Sequence, residues 1–373
     1  MIGLRIAHLV GSLNPSAAAS CAINLIRWLQ VNGHEALLLT TGGVREEECR
    51  NDGLDVHCYQ ENGFRLLTGG GRQLLNDLSE WRPDVLHVHR LASVPLGINL
   101  ARKLGVPLIV GIHEPIEAEE AEPLANPVVD VIAVPNEALR AHLVGRLGLS
   151  RDTVTVMPYG FDLERFATDR PSQEVSTIGT IARFDVQTMG LRLLIDAVAA
   201  LRSRHAGLKS LIVGGGPGRD ELATQINDAG LGDAIEVLEA SAQVAPLLSR
   251  MQIFVYPFVR DTHSITVIKA MASGCAVVAA AVGGIQEVVH DGETGLLIPP
   301  GDGDALALAL GRLLGDPDLV CRLGRAAREF VSRSNDIETV GHIAEGFYKS
   351  VMRGEGAQAG AETARMYRRR STS

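Results

Sequence analysis

The chain lacks a paired-cysteine pattern. Its five cysteines, Cys21, Cys49, Cys58, Cys275 and Cys321, are odd in number, scattered, and without a CxxC spacing. This argues against a disulfide framework or a zinc knuckle and fits a reducing cytoplasm. Most read as small apolar fillers. The chain also lacks a long apolar run. The longest candidate, residues 275–281, is followed by Gly283-Gly284 and falls short of the roughly 18 residues a spanning helix needs. The opening stretch, residues 1–10, has too short an apolar run for a signal peptide and reads straight into a strand. A cytoplasmic protein is expected, with peripheral contact to a membrane left open.

Excess positive charge is missing too. The formal net charge is -9, which argues against a nucleic-acid partner held by a broad basic surface. A phosphate-bearing substrate stays compatible, because a site needs only a few local cations. The cluster Arg368-Arg369-Arg370 is too short to change this. It reads as a solvated tail, with anionic lipid as the minor alternative.

What is present is an ordinary globular composition, 46% hydrophobic and 21% charged over 373 residues, long enough for two domains. Short β-branched runs alternate with amphipathic stretches. Strands are expected at residues 6–10, 36–40, 85–88, 107–111, 131–134 and 154–157. Between them fall helices at 18–31, 92–104 and from about 135 to 147. Apolar Ala22, Leu25, Ile26 and Leu29 follow helical spacing, and Gly33 and Gly105 stand where helices should stop. Residues 162–174 are polar, carry Pro171, and read as a linker.

The alternation then restarts. Strands are expected at 175–181, 210–213, 253–256, 276–280 and 296–298, and helices at 191–203 and 264–273, with helices dominating from 304 to about 353. Near-continuous apolar strands in β-α-β order imply parallel sheets covered on both faces. The expected fold class is α/β, with two Rossmann-like doubly wound domains facing each other across a cleft. The domains are residues 1–165 and 175–336, then a helix at 337–353 and a disordered tail at 354–373. Ligands of such sheets bind just beyond the carboxyl ends of the strands.

Gly214-Gly215-Gly216-Pro217-Gly218 follows a strand, but GxGxxG fails because Arg219 stands where the third Gly is needed. A dinucleotide fingerprint is therefore set aside.

Residues 255–300, VYPFVRDTHSITVIKAMASGCAVVAAAVGGIQEVVHDGETGLLIPP, resemble the signature block of the family 4 glycosyltransferases. There the order is Pro-Ser, Glu-Gly-Phe-Gly, Glu-Ala-Met-Ala, Gly, Pro-Val-Val-Ala, Gly-Gly-Ile-x-Glu, then Gly-x-x-Gly-x-Leu. Other stretches agree in order: Gly33-His34-Glu35, Pro83-Asp84-Val85-Leu86-His87-Val88-His89, Gly111-Ile112-His113-Glu114, and Met157-Pro158-Tyr159-Gly160-Phe161-Asp162 with Phe166 beyond. The likeness runs to about residue 350.

The resemblance implies the glycosyltransferase B fold and a last helix that crosses back to the first domain. It implies transfer of a sugar from a nucleotide-diphosphate donor with retention and without a metal. Protein cations and helix N-termini then stabilise the leaving diphosphate. No cofactor besides the donor is expected. The acceptor would be a polysaccharide, glycolipid or small molecule on the side of the first domain, with the nucleotide on the second.

His113 and Asp261 are the expected catalytic pair. Arg183 matches the diphosphate-binding Arg, and Gly216 lies in the family's turn beside the nucleotide. Ser264, Ile265 and Thr266 open the helix that bears Lys269. Several positions depart from the pattern. Ser16 and Ala17 replace a Gly-Gly pair, Met189 replaces the usual Lys, Asp261 replaces a Glu, and Lys269 replaces the ribose-binding Glu.

Competing readings stand beside these. His113 could be structural, although its place at a strand end favours the site. His87 and His89 could simply line a strand face. Asp261 could cap its helix. Lys269 could be a surface residue, a donor to a ribose oxygen, the substitute for the cation missing at Met189, or a lesion. Losing several charge-assisted contacts could leave a catalytically impaired binding or partner protein. A nucleotide-sugar epimerase on the same architecture is the third reading, and the signature block favours the transferases over it.

Overall fold

A computed structural model of the protein describes residues 3–60, 69–166, 176–184, 190–239, 244–259 and 265–355, with residues 69 and 70 as backbone only. Met189, Asp261, Ser264, most of the linker at 167–175 and the tail from 356 lie outside the described residues. The chain divides into two compact units, Met1–Phe161 with Ser334–Ser373, and Asp162–Arg333.

The first unit holds β1 (Arg5–Ser12), β2 (Glu35–Gly42), β3 (Asp55–Cys58), β4 (Val85–Val88), β5 (Leu108–Gly111), β6 (Val129–Val134) and β7 (Val154–Val156). They form one sheet in the order β3-β2-β1-β4-β5-β6-β7, and every pairing is parallel. The second unit holds β8 (Thr177–Arg183), β9 (Lys209–Gly215), β10 (Ile235–Glu239), β11 (Ile253–Tyr256), β12 (Ala276–Ala280) and β13 (Leu296–Ile298). Their order is β10-β9-β8-β11-β12-β13, again parallel throughout. In both sheets the first strand sits where the winding direction reverses. That reversal opens a crevice at the carboxyl ends, between β1 and β4 in one unit and β8 and β11 in the other.

The central strands form because their apolar runs are buried on both faces, completely so in β4, β5, β11 and β12. Two strands missing from the sequence reading, β3 and β10, are both sheet edges. Edge strands stay short and carry charge where solvent reaches them, as Asp55, Glu236 and Glu239 do here, so their apolar signal is weak. The expected helix at 92–104 is a 3-10 turn, Leu91–Ser93, followed by an α-helix, Val94–Leu104, with a proline in its first turn. The helix expected to reach 147 is α-helical only over Glu137–Ala141 and continues as a wider turn.

The helix Ala17–Val31 begins at Ser16, whose hydroxyl accepts from the Ala19 N–H at 3.1 Å. It stops at Gly33, whose φ of 82° suits a residue without Cβ. Its face of Ala22, Ile23, Leu25, Ile26 and Leu29 is buried, and each large aliphatic side chain there contributes about 1.5–3 kcal/mol. The helix Ile337–Met352 packs against it. The Trp28 Nε1–H donates to Glu338 at 2.9 Å.

Backbone bonds hold the returning segment in the first unit. The Phe161 N–H donates to Asn335 O and the Ile337 N–H to Phe161 O, both at 2.9 Å. The buried Asn335 side chain donates to Tyr159 O at 2.9 Å. Cys21, Cys49 and Cys275 are buried free thiols that pack as small apolar groups. Among the described residues no helix is long and apolar enough to cross a membrane.

Candidate functional site

In the first unit, imidazoles gather along the β1–β4 pairing and just beyond the carboxyl ends of β4 and β5. The register places His8 directly opposite His87. His89 follows β4, and its N–H donates to Leu9 O at 2.9 Å, which brings it back beside β1. His113 lies just beyond β5. The β4-to-β5 crossing leaves room for the rings because position 111 is glycine. A Cβ there would stand 3.1 Å from His113 Nε2 and 3.5 Å from His87 Nε2.

His8 Nδ1 and His89 Nε2 share a hydrogen bond of 3.0 Å. The Tyr348 hydroxyl bonds His87 Nδ1 at 2.8 Å, and the Tyr159 hydroxyl bonds His113 Nδ1 at 3.2 Å. His8 Nε2, His87 Nε2, His89 Nδ1 and His113 Nε2 are buried without a hydrogen-bond partner in the protein. His8, His87 and His89 could together offer three nitrogens to a metal ion, all within 4.8 Å of one another.

Burial keeps these rings uncharged. It holds His8, His87 and His89 well below the usual imidazole range, and mutual repulsion adds to the effect. Burial alone pushes His113 down to about 4. A neutral His113, fixed through Nδ1 by Tyr159, presents Nε2 as its free nitrogen. The sequence reading named His113, His87 and His89 but missed His8, Tyr348 and the part played by Tyr159. His8 is the one polar residue in the apolar run of residues 6–10, and Tyr348 lies 261 positions from its partner. The one available signal was the His-x-His pair facing a neighbouring strand.

Ser16 and Ala17, expected where a Gly-Gly pair would admit the donor, adopt ordinary backbone. Ser16 has φ −157°, and Ala17 is the first helical residue. No positive φ is needed there, and Ser16 is exposed as a cap.

In the second unit, Arg183 is the exposed last residue of β8. The glycines that end β9 and open the following turn pack directly on the backbone around Arg183. A Cβ at Gly214 would meet Ala182 O at 1.8 Å, and one at Gly216 would meet Phe184 N and O at 3.2 Å. The Phe184 N–H donates to Gly215 O at 3.0 Å, and the Gly218 N–H to Phe184 O at 2.8 Å. Only glycines allow this approach, and it sets Gly216 beside Arg183 at the β8 end. Gly190 (φ 70°) is held just as closely, since a Cβ there would stand 2.0 Å from Pro257 O after β11.

Ile265 and Thr266, both half-buried, open the helix Ile265–Ala272, whose first N–H groups have no partner within the helix. Lys269 is half-buried on that helix, and its Nζ stands 5.8 Å from the Phe166 ring centre, within cation–π range.

Comparison with known proteins decides what these sites belong to. The pattern described as Glycosyltransferase Family 4 matches residues 18–165, and the one described as Glycosyl transferases group 1 matches residues 175–316. Together they span most of both units. The chain belongs to the family 4 glycosyltransferases.

This glycosyltransferase is 28% identical over 327 residues to a glycogen synthase of Mycobacterium tuberculosis, covering 80% of this chain and 75% of that one. It is 29% identical over 338 residues to a phosphatidyl-myo-inositol mannosyltransferase of Mycolicibacterium smegmatis, covering 84% of each. Among solved structures it shares its fold with Anabaena HepE in complex with UDP. The TM-score is 0.82 at 20% identity, covering 92% of this chain and 99% of that one. The lipopolysaccharide glycosyltransferase WaaG aligns with a TM-score of 0.70 at 15% identity, covering 94% and 100%. The glycosyltransferase B fold and the use of a nucleotide sugar follow from this membership.

Proposed function

We propose that the enzyme transfers a sugar from a nucleoside-diphosphate sugar to a polysaccharide, glycolipid or small-molecule acceptor, with retention and without a metal on the diphosphate. The observation that carries this reading is the glycine turn pressed against the end of β8. It brings backbone at Gly216 and the guanidinium-bearing Arg183 to the switch point of the second sheet. That is where a parallel sheet receives a phosphate group. The UDP held by the Anabaena relative supports the donor class.

In this reading Arg183 meets the leaving diphosphate. The first N–H groups of the helix from Ile265 add dipoles aimed at the developing charge, and Ser264, Ile265 and Thr266 are the residues assigned to the donor there. Preorganised donors of this kind can replace a metal, because they need no reorganisation as the leaving group departs. His113 and Asp261 are assigned to hydroxyls of the transferred sugar. The first unit carries the acceptor, and a lipid-linked acceptor would bring the protein to a membrane surface from the cytoplasm.

Calorimetric titration with UDP, GDP and ADP and their sugars tests this. Saturable binding by wild type should weaken about tenfold to a hundredfold in Arg183→Ala, the loss expected of a charge-assisted contact. Hydrolysis-free transfer in chelator should persist, and the product anomer should match the donor's. Absence of binding at millimolar nucleotide would instead favour the impaired binding protein. The departures at Met189 and Lys269 speak for that second reading.

A further inference from the structure

We propose that His8, His87 and His89 form a transition-metal site at the β1–β4 switch point of the first unit. It would hold one divalent ion of imidazole preference, such as Zn2+ or Co2+. The three rings are fully buried, and one nitrogen from each lies within 4.8 Å of the others. His8 Nδ1 and His89 Nε2 are already 3.0 Å apart. Two nitrogens bound to one tetrahedral zinc at about 2.0–2.1 Å stand roughly 3.3 Å apart, so that pair is near ligand spacing.

The ion would take the place of the hydrogen bond between His8 Nδ1 and His89 Nε2, and His87 Nε2, buried without a partner in the protein, is the nitrogen its ring leaves for a third bond.

Tyr348 supplies the outer contact that metal-binding histidines keep. Its hydroxyl holds His87 by Nδ1 at 2.8 Å and leaves Nε2 as the free nitrogen. All-imidazole ligation suits zinc, cobalt, nickel or copper and does not suit magnesium or calcium, which prefer oxygen. The ion would therefore not take the place of a magnesium on the diphosphate. It would pin β1 to β4, and through Tyr348 it would pin both to the last helix. His113, whose ring centre is 6.0 Å from that of His89, borders the cluster.

The test uses the full chain stripped with a chelator and titrated with Co2+, then Zn2+. One equivalent of Co2+ should bind with the visible d–d bands of a low-coordinate site, and Zn2+ should displace it. Saturation should raise the melting temperature by roughly 5 °C at a hundredfold excess over Kd. His89→Gln and, independently, His8→Gln should abolish the bands. Tyr348→Phe should weaken binding about tenfold to a hundredfold. His57→Gln, which changes a histidine paired with Asp77 away from the cluster, should change nothing. If stripped wild type takes up neither ion, the unpaired nitrogens belong to buried water and the proposal falls. It falls equally if binding survives His89→Gln and His8→Gln.

Discussion

The indole of Trp28 occupies the space where residue 341 would carry a side chain. A Cβ on Gly341 would come within 2.1 Å of the ring. The His342 ring meets the same indole edge-on, with centres 5.0 Å apart. The first helix and the last helix of the described chain are thus fitted to each other across some three hundred residues of sequence.

Gly341→Ala should therefore destabilise, although alanine favours helices by about 1 kcal/mol over glycine. The clash is with a buried ring that cannot move aside cheaply, and overpacking costs about 1–3 kcal/mol. Urea denaturation should show a lower midpoint with an unchanged slope. A midpoint equal to or above wild type would mean that the helices separate at no cost.

His113 is the residue proposed to meet the transferred sugar, and its ring is held by Tyr159. That tyrosine stands where the related motif has Asn, and its hydroxyl bonds His113 Nδ1 at 3.2 Å. His113→Ala should lower kcat by about a hundredfold or more while costing about 1–2 kcal/mol of stability. Tyr159→Phe should lower kcat by a smaller factor, since it frees the ring without removing it. Turnover at the wild-type level in His113→Ala, together with a large fall in melting temperature, would mark His113 as structural.

Lys269 holds its ammonium 5.8 Å from the Phe166 ring centre, on the helix whose first turn is assigned to the diphosphate. If it compensates for the cation missing at Met189, Lys269→Glu should weaken nucleotide binding about tenfold or more. Adding Met189→Lys should restore it. The two changes must be read as a double-mutant cycle, because contacts to one ligand do not add. Tighter binding in Lys269→Glu alone would show that the lysine impairs the site.

Glu345 couples the last helix to the loop before β2. Its carboxylate accepts from Lys349 and stands 3.5 Å from His34 Nε2 and 3.8 Å from His342 Nδ1. The bond from Lys349 first, and the nearby charges after it, hold its pKa below the usual carboxylate value. Its folded pKa is depressed, so the stabilisation is fully present above the unfolded value of about 4.3. It disappears as pH falls through the folded value. Glu345→Gln should be less stable than wild type near neutrality by up to about 1 kcal/mol, because the group is partly exposed. The difference should close as pH falls below 4. A constant difference from pH 7 to pH 3 would show that packing, and not charge, is responsible.

Much of the fold was legible without coordinates. The runs of β5, β11 and β12 are apolar throughout, β4 is apolar except for His87, and the stops at Gly33 and Gly105 have the positive φ their positions require. These signals are local, because burial on both faces favours apolar side chains along a strand. Edge strands β3 and β10 escaped because solvent permits charge along them.

The sequence by itself determined the family, the alternation of strands and helices, and the strand-end position of His113. Tertiary structure alone decided that His8 faces His87, that Tyr348 returns to bond His87, and that glycines at 214 and 216 press backbone against the Arg183 strand. Periodicity reports which face of an element is buried. It carries no information on register between parallel strands, or on which distant element closes over a strand end. Those choices are made by packing among residues far apart in the chain.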